Sequence, residues 1–121
     1  MIILIFKGAC NMFAVIYRGF VKPEKEKVFR KAWREVATFF VEEQGACGSS
    51  LHRAEEGMWV AYSRWPDQTT RDASWPSDEE EVNVGFPTHV KKAIEELKNC
   101  FENEEPQICM ELVDEVKSGK A

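Results

Sequence analysis

The fifteen residues Leu51–Trp65, LHRAEEGMWVAYSRW, constrain the fold more than any other stretch of the chain. Two runs rich in β-branched and aromatic side chains flank Glu56-Gly57, and a glycine beside an acidic residue suits the positive φ of a tight hairpin turn. A two-residue loop at that point sets Glu55 opposite Met58, Ala54 opposite Trp59, His52 opposite Ala61 and Leu51 opposite Tyr62. Side chains alternate along a strand, so His52, Ala54, Trp59 and Ala61 are expected on one face and Leu51, Arg53, Val60 and Tyr62 on the other. On this register the imidazole of His52 lies near the indole of Trp59.

The flanking sequence builds a fold around that hairpin. Phe13–Val21, FAVIYRGFV, reads as a first strand. Pro23 suits the first position of a helix, and the acids Glu24 and Glu26 favour its dipole. Apolar residues then recur at Val28/Phe29, Ala32/Trp33, Val36/Ala37 and Phe40, the helical period, until Gly45 ends the run. Pro66 stops the second hairpin strand, and Asp67 is placed to cap a short helix reaching towards Trp75. The segment from Trp75 to Pro87 is rich in proline and acid and reads as a surface connection. A second long helix is expected from Thr88 to about Phe101, with Val90, Ile94, Leu97 and Phe101 on one stripe. Ile108–Val116 alternates as a last strand.

The order strand, helix, strand, strand, helix, strand is the ferredoxin-like βαββαβ arrangement of the α+β class, a four-stranded antiparallel sheet with the helices on one face. The first strand carries apolar residues on both faces, Phe13, Val15, Tyr17 and Val21 against Ala14, Ile16 and Phe20. A sheet apolar on both sides in so small a domain predicts a homodimer formed through the uncovered face.

A chain of 121 residues fits one domain. Residues 12–121 are expected to form it, with 1–11 an N-terminal extension that adds or lengthens an edge strand. The apolar run IILIF is too short for a signal core, and no stretch approaches the length of a membrane span. A net charge of −5, with bases interleaved among acids, argues against a nucleic-acid partner. The four cysteines contain no CxxC spacing, and only two histidines are present to help build a metal site. Reduced structural thiols in a cytosolic, cytoplasmic protein are the expectation, with no metal and no nucleotide-type cofactor.

The stretches FAVIYRGFVKPEKEKVFRKAWREV and GSSLHRAEEGMWVAYSRWPDQTTRDASW resemble the antibiotic biosynthesis monooxygenase (ABM) group of dimeric α+β barrel proteins. The resemblance implies two sheets packed face to face in a homodimer, and in each subunit a pocket between sheet and helices. It also implies cofactor-independent oxygenation of an aromatic or enolisable substrate, or haem degradation, while many members have no assigned activity. Tyr62 and Trp65 match the family's Asn-Tyr-x-x-Trp strand, with Ala61 standing where the amide would be. For the haem-degrading members, Trp65 and His89 match two expected positions, with Tyr17 or Arg18 where an asparagine would stand.

The candidate site follows from these residues. His52, beside Trp59, or His89, just inside the second long helix, could take a proton from an acidic phenol or enol, since neutral imidazole is a base near pH 7. Trp33, Trp59, Tyr62 and Trp65 are the expected substrate-binding residues, and Trp65, Trp75 and Phe86 could form a lid. Arg18 and Arg64 call for carboxylate partners, for which Glu111 and Asp114 are available. Two further readings stay open: a dimeric module that binds a small apolar ligand or acts as a scaffold without catalysis, and a haem-handling protein.

Overall fold

The computed structural model describes residues 13–74 and 85–119. The expected extension 1–11, and most of the acidic connection with Trp75, lie outside the described residues. Strand β1 is Phe13–Val21, followed by a single 3₁₀ turn at Pro23–Lys25 and helix α1 at Glu26–Glu43. The hairpin strands are β2, Gly48–Arg53, and β3, Trp59–Trp65. Helix α2 is Gln68–Ser74, α3 is Thr88–Cys100 and β4 is Phe101–Glu111. The strands form one antiparallel sheet in the order β2-β3-β1-β4, which is the expected ferredoxin-like α+β fold.

Local chemistry explains the element ends. Helix α1 buries Phe29, Ala32, Val36 and Phe40, one residue per turn on the face towards the sheet. It closes where Gly45 takes φ 90° and the Ala46 N–H donates to the Phe40 carbonyl at 3.1 Å, a left-handed cap that suits glycine. Asp67 does cap α2: its carboxylate accepts the Thr70 backbone N–H at 2.7 Å, and that bond holds the carboxyl below its usual pKa.

The hairpin register differs from expectation by one residue. The turn is three residues, Glu55–Gly57, with positive φ at both Glu56 (64°) and Gly57 (83°), and the Ala54 N–H donates to the Met58 carbonyl at 2.7 Å. Arg53 therefore pairs with Trp59, His52 with Val60 and Leu51 with Ala61. Because the side-chain period in a strand is two, this slip exchanges faces. Trp59 now shares its face with Leu51, Arg53 and Ala61, while His52 shares the other with Val60 and Tyr62. The Arg53 guanidinium sits 4.3 Å from the Trp59 ring centroid and pairs with Glu26 at 3.0 Å, contacts that only this register allows.

The last strand also begins earlier than its alternation indicates. Helix α3 passes directly into β4 at Cys100/Phe101 with no intervening loop, and 112–119 carry no regular structure. β4 is an edge strand, so most of its residues are exposed and little of it need alternate. Pro106 is tolerated there, at the register shift between the partners of Ile16 and Arg18.

The inward face of the sheet meets α1 and α3 in two separate apolar clusters. One gathers Phe13, Val15, Val36, Phe40, Trp65 and Ile94, among others; the second is Val21, Phe29, Trp59 and Cys100. Phe86 packs on Phe39 and Phe40, with centroids 5.0 and 5.9 Å away, so it belongs to the first cluster. The outward face carries Ile16, Val60 and Tyr62 with the exposed Ile108 and Met110. On it Arg18 donates to the Pro106 carbonyl at 3.2 Å and Arg64 lies over the Tyr62 ring, in place of the expected carboxylates.

Cys100 and Cys109 are free thiols, whereas Cys47 is disulfide-bonded, so the expectation of reduced cysteines fails for Cys47 and no longer argues for a cytosolic location. Among the described residues no helix is long and apolar enough to cross a membrane.

Gly19 matters for a steric reason. A Cβ at this position would lie 2.8 Å from the Phe101 ring and from the Asn103 carbonyl oxygen, one of them fixed backbone. Gly19→Ala is therefore expected to destabilise the fold by about 1–3 kcal/mol, the usual cost of overpacking. Urea unfolding followed by tryptophan fluorescence checks this; an unchanged midpoint would mean that β4 can move aside.

Candidate functional site

The two apolar clusters stay apart because of the inward row of β3. Its side chains run Trp59, Ala61, Ser63, Trp65: large at both ends and small in the middle. Across the ladder Ala61 meets Leu51 and Tyr17, and Ser63 meets Ser49 and Val15, so the centre of this row fills little space. Helix α1 lies over the row but cannot sink into it while the indoles hold the ends. The result is a cavity of about 1010 Å³ between sheet and helices. That is as large as the sites that take small organic ligands.

Its walls are mostly apolar. Trp33, Phe40 and Ala37 come from α1, Leu97 from α3, and Trp59 and Trp65 from the sheet. Phe29 packs its ring against Trp59 at 5.4 Å and Phe101 at 5.3 Å, and Phe40 against Trp65 at 6.0 Å, all tilted or edge-on, so each indole is braced from the helix side.

One end is polar. Arg71, on α2, has a side chain only 7% exposed and reaches the cavity next to Tyr17 and Gln107. Its Nη2 donates to the Tyr17 hydroxyl oxygen at 3.2 Å and to Gln107 Oε1 at 2.9 Å, and Nη1 donates to Asp72 Oδ1 at 3.3 Å. Burial pushes the Tyr17 phenol above its usual pKa, outweighing the pull of Arg71's hydrogen bond and charge, so the hydroxyl is neutral at physiological pH. Burial also works against the Arg71 charge, but the bonds to Tyr17 and Asp72 more than compensate, and the guanidinium stays ionised. Among the described residues, the buried Arg71 Nε and Trp65 Nε1 have no acceptor.

The expected site residues divide between this cavity and the surface. Trp33, Trp59 and Trp65 line the cavity together. Tyr62 lies on the opposite face of the sheet, beneath Arg64. His52 is on that outer face too, exposed, with Nε2 3.2 Å from Ser50 Oγ. His89 is exposed in the first turn of α3 and borders a separate surface depression with Lys31, Arg34, Phe39 and Pro87. The structure thus brings neither histidine to the cavity, and Trp65 and His89 belong to different places. Arg71 and Gln107 were not expected at all. They stand 36 residues apart in polar segments, and nothing local in sequence marks them.

Fold and cavity together define a small α+β protein with an aromatic-walled chamber beneath an antiparallel sheet. The sequence profile of the antibiotic biosynthesis monooxygenase family matches residues 12–79, more than half of the chain, and the chain belongs to that family. No curated protein matches it in sequence.

Solved structures share its fold at low identity. Rv0793 from Mycobacterium tuberculosis is 16% identical with a TM-score of 0.64, over 87% of this chain and 98% of that one. A structure described as an antibiotic biosynthesis monooxygenase is 19% identical with a TM-score of 0.64, over 85% and 100%. SnoaB, a cofactor-independent oxygenase from Streptomyces nogalater studied as a mutant, is 14% identical with a TM-score of 0.63, over 89% and 99%. At these identities the likeness establishes the fold and leaves the substrate open.

Proposed function

We propose that this protein is a monooxygenase-like enzyme that oxidises a small aromatic or enolisable molecule in the cavity, using dioxygen and no bound cofactor. The observation that carries the reading is the unfilled cavity itself. Phe29, Trp33, Phe40 and Leu97 would close it if the space served only as core, yet they stand around it as walls. Flat apolar walls formed by Trp33, Trp59 and Trp65 suit a planar ring system, and the family and the likeness to an oxygenase fold support the chemistry.

In this reading the substrate gives up a proton from an activated CH₂ to solvent before it enters, so that an enolate occupies the cavity, and solvent returns that proton to the peroxide formed later. The enolate carbon transfers one electron to dioxygen, and the two radicals combine to a hydroperoxide. Loss of water leaves a carbonyl. One oxygen atom stays in the product and the other leaves as water, with the substrate supplying all the electrons. The protein's part is to hold the ring, exclude bulk water and favour the ionised substrate. His52 and His89 lie outside the cavity, and the reading gives them no contact with the substrate.

Oxygen uptake with 1,8-dihydroxyanthrone as substrate tests this directly. Turnover above the spontaneous rate, accompanied by quinone absorbance, is expected; binding without oxygen uptake would leave a ligand-binding module. That second reading has one observation in its favour, the methyl of Ala61 on the cavity floor where the family's amide would stand.

The assembly we propose is a homodimer through the outward face of the sheet, supported by Ile16, Val60, Tyr62, Ile108 and Met110 on that side. Sedimentation at micromolar concentration should give twice the 13.9 kDa chain mass, and a stable monomer would overturn it.

A further inference from the structure

We infer that Ser49 and Ser63 handle the second reactant: their hydroxyls donate hydrogen bonds to dioxygen as it becomes superoxide and then peroxide. The inference rests on the reading of the cavity as an oxygenase site and adds to it the catalytic groups that touch the oxygen.

The two serines stand opposite each other across the β2–β3 ladder, and both line the cavity. Ser63 is 8% exposed and lies on the inward row between Ala61 and Trp65, while Ser49 is half-buried. Neither hydroxyl has a hydrogen-bond partner among the described residues. An unpaired hydroxyl in a protein interior is costly, and native structures hold few of them. Ser63 Oγ also differs from Arg71 Nε and Trp65 Nε1, which protein atoms shut in. It is unpaired without being enclosed, so the open space it meets is the chamber.

The reaction creates the acceptor these donors lack. Before electron transfer the negative charge is spread over the enolate. Afterwards it sits on the two atoms of superoxide, and when the radicals combine it stays on the outer oxygen of the peroxide until solvent protonates it. An anion formed against apolar walls is costly unless donors are already in place. Dioxygen itself is a poor acceptor, so the two hydroxyls favour the charged states over the reactant and speed the step. The carboxylates of the cavity lie elsewhere. Asp72 is bound to Arg71, and Glu104 and Glu105 are on β4, two strands or about 10 Å from Ser63. Their repulsion is weakest on the side of the cavity where the serines stand.

The test measures oxygen uptake with 1,8-dihydroxyanthrone on the full chain, beside binding of the same compound under argon by quenching of tryptophan fluorescence. Ser63→Ala is expected to lower kcat roughly ten- to a hundredfold. Its Kd under argon should change by less than about twofold, because the hydroxyl acts only once charge reaches the oxygen. Its melting temperature should hold or rise, since the change removes an unpaired polar group. Ser63→Thr keeps the hydroxyl and should recover most of the rate. Ser49→Ala gives a second, independent loss of about three- to tenfold and decides the matter if the Ser63 variants do not fold. Unchanged kcat in both alanine variants, or a weaker Kd under argon that accounts for the whole loss, overturns the assignment and leaves the oxygenase reading standing. A wild type that binds the anthrone without taking up oxygen overturns that reading and this inference together.

Discussion

Ala61→Phe should abolish substrate turnover, by about a hundredfold or more, and leave the protein folded with stability within about 1 kcal/mol of the wild type. Ordinarily a phenyl group added to a core costs more, because native interiors have no room for it. Ala61 is different. It faces the middle of a chamber of about 1010 Å³, with Trp59 and Trp65 holding the helices away on either side. The new ring enters space that only a ligand would use, and it blocks the contacts of that ligand with Trp33 and Tyr17. Thermal unfolding and oxygen uptake measured on the same sample separate the two effects. A large loss of stability would show that the chamber collapses in solution; undiminished turnover would place the chemistry elsewhere.

Phe40→Ala is expected to do the reverse and strike the fold first. Phe40 is 8% exposed, and its ring meets Phe39, Trp65 and Phe86 at centroid distances of 5.5, 6.0 and 5.9 Å. It joins α1 to the sheet and to the start of α3 at the same time. Truncating such a residue costs about 3–5 kcal/mol. For a domain of this size the melting temperature should fall by roughly 10–20 °C. Calorimetry or circular dichroism would register it. A fall of only a degree or two would mean that the first apolar cluster carries little of the stability, and that the second, around Phe29 and Trp59, holds the fold.

Much of the architecture was legible from periodicity. The alternation in Phe13–Val21, the three-to-four spacing from Phe29 to Phe40 and the Asp67 cap each act locally, so their physics is written in adjacent residues. The hairpin was legible as a hairpin, but its register was not. Glu56-Gly57 fits a two-residue loop as well as it fits part of a three-residue one, because an acidic residue can also take positive φ. One residue of difference moved His52 to the opposite face from Trp59. The start of β4 was hidden because Glu102–Pro106 is polar, and an edge strand exposed to water needs no apolar alternation.

The candidate site was legible only in its apolar part. Trp33, Trp59 and Trp65 are visible as large residues on inward positions, and the pattern large, small, small, large along β3 is a signal for a chamber once the inward face is known. The polar end had no such signal. Arg71 reads as one more charged residue in a short polar helix, and its partners Tyr17 and Gln107 are 54 and 36 residues away. Only the topology, which sets α2 above β1 and the neighbouring edge strand, brings the three together.

The direct passage of α3 into β4 leaves no slack between that helix and that strand. Leu97 and Phe101, on either side of the junction, both front the chamber, so this wall moves as a single rigid piece tied to the sheet by the β1–β4 ladder. On the other flank α1 and the short α2 are set off from β2 and β3 by short connections, residues 44–47 and 66–67, so an opening that admits a guest is expected there rather than at the α3–β4 wall.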